Sequence, residues 1–548
     1  MLRFLIHREF GDEAENQSGV GCVGGADVDG QGEVLGLLEG RSKFSEDAAA
    51  PDQTSIVSLI QIAIDASPQN RLLSIHGLPL DSLRCRHHHD DHLHRRVVWR
   101  LRTLEVRKLW QTTKGPAGNG RGLWRFWTSV CGIDPQSLQD QIKRSVIVND
   151  IDHRVLGNKL DLFHQQEEGA GMVFWHPRGW ELYRVLEDYV RAHMRRAGFR
   201  EIRTPQLLAR SLWEKSGHWE KFGAAMYSLA DAEEGRALCL KPMSCPCHVQ
   251  IFNQRVRSYR ELPVRYSEFG ACHRDEPSGS LEGLKRTRAF VQDDAHVFCT
   301  EAHIEAEVGR FCSLLRVVYA DLGFPDFKVA LATRPAMRAG NDQTWDRAEE
   351  ALANAARAAG LEFDILEGEG AFYGPKLEFH LTDSRERSWQ CGTIQLDFVL
   401  PDRLDAEFVN ERNERGRPVM IHHAVLGSME RFIAMLLEHH EGWLPMWLAP
   451  EQVVVATISD ANAAYAQEVM QALDDAGIRA LLDGRPERLE KKIVDAREKQ
   501  VPIFVAVGSR DERDRTISIR MRDGQQSTLA LAEGVEHLRL CALPPCTQ

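Results

Sequence analysis

Hydrophobic positions repeat with a helical period within RGWELYRVLEDYVRAHMRRAGF, where Leu182, Val185, Leu186, Tyr189, Val190 and Met194 fall at i, i+3, i+4, i+7, i+8 and i+12. This spacing predicts a helix with one buried stripe, ending at Gly198. A strand-like FREIRTP follows. Between Tyr266 and Phe298, the β-rich pieces YSEFGACHR and RTRAFVQDDAHVF flank the Gly/Ser-containing EPSGSLEGLK, which predicts a hairpin-like element with a long loop. Further on, VALATRP, FDILEGEG, KLEFHLTD and GTIQLDFVLP read as strands, with a helix over Trp345 to Ala359. This order predicts an α+β fold, a mostly antiparallel sheet carrying helices. Beyond GWLPMWLAP, residues 442–450, the pattern changes. VVVATIS, a helix from Ala461 to Ala476, IRALLD, a helix from Leu489 to Lys499 and PIFVAVG alternate as β and α, a compact α/β unit.

Before about residue 145 the regularity is missing. Residues 1–83 are acidic, Gly-rich and weakly periodic, and Arg84 to Arg125 holds eleven Lys/Arg against three Asp/Glu. Three segments are therefore expected: 1–144 as an atypical extension, disordered or poorly defined, then 145–445 and 446–548 as folded domains. Across all 548 residues, 68 Lys+Arg against 80 Asp+Glu leave a net charge of −12, which argues against a passive, charge-driven nucleic-acid coat. No run approaches the roughly 18 to 20 apolar residues that span a bilayer. The start, MLRFLIHREFGDEAE, turns acidic before any secretory segment develops, so a cytoplasmic protein with no membrane association is expected. Twelve cysteines in so long a chain suggest free thiols and one metal site rather than a disulfide framework.

Two constellations carry candidate chemistry. In LKPMSCPCHVQIF, Cys245, Cys247 and His248 crowd together, with His296 in DDAHVF and His422 in MIHHAVLGS further along. Mixed Cys and His suit zinc, and three protein ligands would leave a fourth position for substrate. Buried thiols and hydrogen-bonded core histidines fit these residues equally well on spacing alone. The second constellation is arginine-centred: Arg274, then Glu276, Arg286, Arg288 and Phe290, with Arg431 opening a helix in LGSMERFIAMLLEHH. Planar guanidinium forks match phosphate oxygens and an aromatic ring stacks on a base, although any one arginine could simply be solvated or paired. Neither a GxxxxGK[ST] loop nor a GxGxxG after a strand is present, so a nucleotide would be held by side-chain arginines on a sheet.

The order FREIRTP, FGACHRDEPSGSLEGLKRTRAFVQDDAH and LGSMERF resembles motifs 1, 2 and 3 of the class II aminoacyl-tRNA synthetases. With LKPMSCPCH, EGAFYGPKLEF, CGTIQLDF and MIHHAVLGS, the pattern is similar to the threonyl-tRNA synthetase family over about residues 145 to 545. The resemblance implies a class II catalytic domain followed by an anticodon-binding domain. It also implies ATP-dependent ligation of L-threonine to tRNA(Thr) through a threonyl-adenylate, with one Zn²⁺ per chain, Mg²⁺ with ATP, and a homodimer. Carried over by position, Cys245, His296 and His422 match the zinc ligands. Asp294, Tyr373 and Gln395 match the threonine pocket. Arg274 and Arg431 match the α- and γ-phosphate arginines, Glu276 and Phe290 the adenine contacts, and Arg286 a contact to the outer phosphates. In SIRMRDG, Arg520 and Arg522 are candidate anticodon contacts, with a solvated strand face an equal alternative.

The chain departs from the family at Ser244 and Cys247, where Asn and Gly are usual, at Ala289, where Gly is common, and at His423, where Arg commonly follows the ligand. Cys247 could compete for zinc or oxidise with Cys245. The cluster His87, His88, His89, His92 and His94 is too compressed to match the family's editing centre, so editing is expected to be absent and mischarged serine to escape. A rival reading is a synthetase-like RNA-binding or regulatory protein with weakened catalysis. It draws on these departures and is opposed by the surviving ligand and arginine positions.

Overall fold

The computed structural model describes residues 150–230 and 237–545. The expected extension 1–144, its basic stretch and its histidine cluster lie outside the described residues. Helix α1 (His153–Lys159) starts the described fold, and the Asp152 carboxylate accepts from the Arg154 backbone N–H at 2.9 Å to cap it. Helix α2 (Pro177–Arg196) has proline in its first turn and gives way to Gly198 at φ +85°. Its stripe of Leu182, Leu186, Tyr189 and Val190 is buried, as the period requires. Truncating one such leucine to alanine typically costs about 2–5 kcal/mol.

The central sheet contains β1 (Arg200–Glu201), β2 (Val264–His273), β3 (Ala289–Cys299), β4 (Lys328–Ala332), β5 (Asp364–Leu366), β6 (Lys376–Thr382), β7 (Ser388–Asp397) and β8 (Val419–Ser428). Its order is β5-β4-β6-β7-β8-β3-β2-β1. Only the two outermost pairs, β4 with β5 and β1 with β2, are parallel; every pairing between them is antiparallel. The hairpin expected between Tyr266 and Phe298 is the β2–β3 pair, in register from Val264 opposite Phe298 to Ala289 opposite His273. FREIRTP forms strand only at its two-residue β1; Ile202 N still donates to Ser267 O at 2.9 Å, but the Thr204 N–H then turns to the Glu268 carboxylate at 2.7 Å.

Alternation along the strands gives the sheet two unlike faces. Ala295, Val297, Ile421 and Val425 point into the main core with α2, α4 (Ile304–Asp321) and α6 (Met429–His439). Tyr266, Phe298 and Met420 point to the other side, against α3 (Cys245–Phe252) and Tyr373. Helix α5 (Asp342–Ala358), capped by Asn341, starts three residues earlier than its hydrophobic pattern suggests, because the cap and Asp342 precede the first apolar contact at Trp345.

After the link comes a second sheet of β9 (Val453–Thr457), β10 (Ala480–Asp483), β11 (Ile503–Val507), β12 (Thr516–Met521) and β13 (Gln526–Ala530), ordered β10-β9-β11-β12-β13. Strand β9 pairs parallel to both β10 and β11, the expected α/β arrangement, with helices Ala463–Asp475, Leu489–Glu498 and Leu531–Ala542 around it. The link is tied to both sides. Arg479 donates to Trp447 O at 2.8 Å and Ala449 O at 2.9 Å, and Arg178 pairs with Glu451 at 2.6 Å. Among the described residues no helix is long and apolar enough to cross a membrane.

Candidate active site

Strand register builds the metal-competent part of the site. Gln395 on β7 lies opposite His422 on β8, and His422 lies opposite His296 on β3. Residues in one cross-strand row share a face, so three sequence-distant side chains meet without any loop to place them. Asp294 is two residues from His296 and therefore on the same face, with Oδ1 3.7 Å from His296 Nε2. Cys245 reaches this face from the first turn of α3, where the helix dipole favours a thiolate. The ligand atoms of Cys245, His296 and His422 lie within 4.8 Å of one another, and all three residues are buried.

One sulfur and two imidazole nitrogens are a zinc-type donor set with a position left open. The outer contacts fit that use. His422 Nε2 is 2.9 Å from Asp397 Oδ2, while Asp397 Oδ1 accepts from Val399 N at 2.7 Å and Leu400 N at 2.9 Å. A carboxylate so held fixes the His422 proton on Nε2 and leaves Nδ1 as the donor atom. Burial without a cation pushes the Cys245 thiol well above its ordinary range and His296 well below. A bound cation reverses the cost for the sulfur.

The Tyr373 ring stacks on His422 at 4.7 Å, and its hydroxyl donates to Gln395 Oε1 at 2.5 Å. Gly374 is required beside it, since a Cβ there would meet Leu396 O at 1.9 Å. Asp294 is also buried, and its carboxyl is pushed up by that burial. Threonine-pocket candidates Asp294, Tyr373 and Gln395 thus all border the Cys/His/His group.

The arginine constellation lies along the β2–β3 hairpin, joined by Arg431 from α6. Arg274 follows β2 and donates to Pro242 O at 3.2 and 3.3 Å, with its guanidinium 5.1 Å from the Phe290 ring and 5.5 Å from Phe222. Arg431, in the first turn of α6, donates through Nε to Lys285 O at 2.8 Å and through Nη1 to Gln390 O at 2.6 Å. Its placement depends on the β8–α6 turn. The Asp293 carboxylate accepts from the backbone N–H groups of Val425, Leu426 and Gly427 at 2.7–2.9 Å, and Gly427 adopts φ +85° with Cys391 O 2.3 Å from where a Cβ would sit. Among the described residues neither Arg274 nor Arg431 forms an ion pair; both forks rest on backbone carbonyls. Glu276 and Arg286 instead pair with each other, Arg286 Nη2 donating at 2.7 Å.

Below this loop is a buried ion network. Lys285 Nζ is 2.8 Å from Asp383 and 2.9 Å from Glu438, and His153 bridges Glu438 Oε1 at 2.7 Å and the Leu284 N–H at 3.1 Å. Asp152, His153 and Glu438 also cluster closely enough to hold an ion, but Lys285, Arg154 and Arg385 already supply the positive charge.

The departures from the family pattern fall outside the donor set. Cys247 packs with Trp213, Met226 and Cys239 and is not part of the metal-competent group. Ala289 sits at the end of the hairpin opposite His273. His423 faces the core between Phe199 and Phe311, held neutral by burial with its pKa pushed down to about 3. The Ser244 side chain is fully buried. In the second sheet, Arg520 and Arg522 are both exposed, and the Arg522 guanidinium lies 4.6 Å over Trp443 and donates to Trp443 O at 3.3 Å.

Sequence reasoning missed four contributors. Asp397 was detectable as the residue two beyond Gln395 on a strand. His218 (Nε2 3.2 Å from Cys245 Sγ), Glu268 and the role of His248 carry no sequence signal, because only the folded sheet brings them in.

Known proteins are similar to this chain in sequence and fold. The family model described as tRNA synthetase class II core domain (G, H, P, S and T) matches residues 227–440, and that of the anticodon binding domain matches 452–539. The threonine–tRNA ligase of Gluconacetobacter diazotrophicus is 52% identical over 413 residues, 75% of this chain and 64% of that protein. That of Caulobacter vibrioides is 55% identical over 450 residues, 81% of this chain and 68% of its own length. A crystal structure described as the RNA binding domain of threonyl-tRNA synthetase from Cryptosporidium parvum superposes with a TM-score of 0.70 at 38% identity, covering 72% of this chain and all of that one. The chain thus spans about two thirds of these bacterial relatives, and by fold, coverage and identity it belongs to the threonyl-tRNA synthetase family of class II aminoacyl-tRNA synthetases.

Proposed function

We propose that the protein ligates L-threonine to tRNA(Thr) in two steps, with threonine selected at Cys245, His296 and His422 and ATP held by Arg274 and Arg431. The observation that carries this reading is a buried three-donor group beside two arginines that have no carboxylate partner among the described residues, the β2–β3 hairpin contributing His296 to the first and Arg274 to the second. Unpaired guanidinium groups are costly unless an anion arrives, and triphosphate oxygens are suitable anions.

In the first step the threonine carboxylate attacks the α-phosphorus of ATP, and pyrophosphate leaves. In-line displacement chiefly needs alignment and charge neutralisation, so no protein nucleophile is invoked. Arg274 takes the α-phosphate and Arg431 the γ-phosphate, with Mg²⁺ entering alongside ATP. Phe290 stacks on adenine, Glu276 accepts from its amino group, and Arg286 exchanges Glu276 for the outer phosphates. In the second step a terminal ribose hydroxyl of tRNA attacks the activated carbonyl.

When bound, zinc supplies a Lewis-acid centre for the amino and hydroxyl groups of threonine. Asp294 accepts from the hydroxyl, and Tyr373 and Gln395 wall the pocket. An apolar pocket separates near-isosteres such as threonine and valine by only about 10²-fold, whereas a site built to engage the hydroxyl rejects its absence far more strongly. The C-terminal α/β unit reads the anticodon, with the exposed Arg520 and Arg522 as candidate contacts. The FREIRTP segment forms a two-fold dimer interface. The soluble character of such a ligase places it in the cytoplasm.

Threonine-stimulated exchange of pyrophosphate into ATP tests the reading. Arg274→Ala and Cys245→Ala should each abolish exchange; undiminished exchange in both variants would overturn the assigned roles.

A further inference from the structure

Behind the metal-competent group runs a buried chain of hydrogen bonds that the ligation chemistry does not use. His296 Nδ1 lies 2.8 Å from His248 Nδ1, and His248 Nε2 lies 3.1 Å from Glu268 Oε2. Glu268 in turn accepts from the Thr204 backbone N–H at 2.7 Å, the Thr204 hydroxyl at 2.9 Å and Lys241 Nζ at 3.1 Å. His248 and Lys241 are fully buried, and Glu268 is 3% exposed. Burial alone would push the Glu268 carboxyl up, but the His248 hydrogen bond, the Lys241 charge and the Thr204 N–H outweigh it and bring it down to about 2. With the Thr204 N–H, the Thr204 hydroxyl and the Lys241 ammonium all donating to its two oxygens, Glu268 is an acceptor towards His248 as well.

The proton positions follow from this. An acceptor at Glu268 requires the His248 proton on Nε2, which leaves His248 Nδ1 as a lone pair. That lone pair can be satisfied only by a proton on His296 Nδ1, so His296 Nε2 is left unprotonated. Nε2 is the atom 3.1 Å from His422 Nδ1, on the side where the donor atoms converge. In the opposite arrangement two N–H groups would face each other at the His248–His296 contact, or His296 would carry its proton on the atom needed for the ion.

We infer that His248 is a positioning residue: Glu268 acts through it to fix the His296 tautomer, presenting Nε2 to the ion two imidazoles away from the carboxylate. This rests on the zinc reading proposed above and deepens it. Such outer partners are ordinarily worth about 10–100-fold in metal affinity. His248→Gln preserves the pattern, because its amide oxygen accepts from His296 and its amide NH₂ donates to Glu268. His248→Leu preserves bulk and apolar packing but removes the acceptor.

Zinc content and zinc retention against a competing chelator should be measured on the wild type and both variants. Tautomers should be read from ¹⁵N-histidine NMR of the wild-type holoenzyme. Retention in His248→Gln within about threefold of wild type, a loss of about 10–100-fold in His248→Leu, and an Nε2-protonated His248 are expected. A purely packing role predicts that leucine does as well as glutamine. Equal retention in the leucine variant, or His248 protonated on Nδ1, overturns the inference while leaving the zinc reading intact. If His248→Leu fails to fold, the glutamine variant and the wild-type tautomer still decide. A wild type that takes up no zinc overturns the functional reading and this inference with it.

Discussion

The two halves of the site are built on opposite principles. On the side proposed for the amino acid, the two donor imidazoles sit on neighbouring strands and the thiol on α3, each ring nitrogen has a partner, and Asp397, His248 and Glu268 brace the imidazoles from behind. On the side proposed for the phosphates the charges are left open: Arg274 and Arg431 lean on carbonyl oxygens, and Arg286 occupies Glu276. The first half is pre-organised to discriminate by geometry. The second holds guanidinium charge that, among the described residues, meets only carbonyl oxygens at Arg274 and Arg431, open to the anion proposed above, with one internal pair to exchange.

This contrast can be broken from either side. The largest effect is expected for Arg431→Ala. Removing a pre-placed cation should lower kcat/KM for ATP by roughly 10²–10³-fold, the scale of losing one transition-state donor. The KM for threonine should change little, since Arg431 contacts Lys285 O and Gln390 O rather than the Cys/His/His group. Steady-state exchange with each substrate varied in turn checks this, and equal losses for both substrates would mean the halves are not separable.

A smaller effect lies in the scaffold under the phosphate loop. Burial would raise the Glu438 carboxyl, but hydrogen bonds from His153, Ser384 and Lys285 together with the lysine charge lower it from its ordinary 4.5 to about 2. A depressed carboxyl contributes stability above its unfolded value, and that contribution is lost as pH falls from about 4.5 towards 2. Glu438→Gln should therefore lower stability at neutral pH and flatten the acid limb of the denaturation curve. Denaturant midpoints between pH 2 and 7 measure it; an unchanged acid slope would remove Glu438 from the account.

The sequence showed the two halves unequally. Motif strings and hydrophobic period placed the β2–β3 hairpin, helix α2 and the C-terminal α/β unit close to where they form, because those elements are local. The convergence of Cys245, His296 and His422 was visible only through resemblance, since strand register is a property of pairing and not of spacing. The role of His248, and the presence of Glu268 and Lys241 behind it, stayed hidden for the same reason. Nothing in SCPCH marks which histidine nitrogen will face His296. The departures at Cys247 and His423 looked threatening in the sequence. In the fold, one packs beside Trp213 and the other faces the core.

The account's central claim is that threonine is chosen by its hydroxyl at the Cys245, His296 and His422 group while the arginines handle ATP independently. The most direct measurement is pyrophosphate exchange by zinc-loaded and zinc-stripped protein with threonine or valine, together with ATP binding by both forms. Threonine-dependent exchange should vanish on stripping and return with zinc, valine should support none in either form, and ATP affinity should stay the same. Threonine exchange that survives complete removal of zinc would contradict the claim.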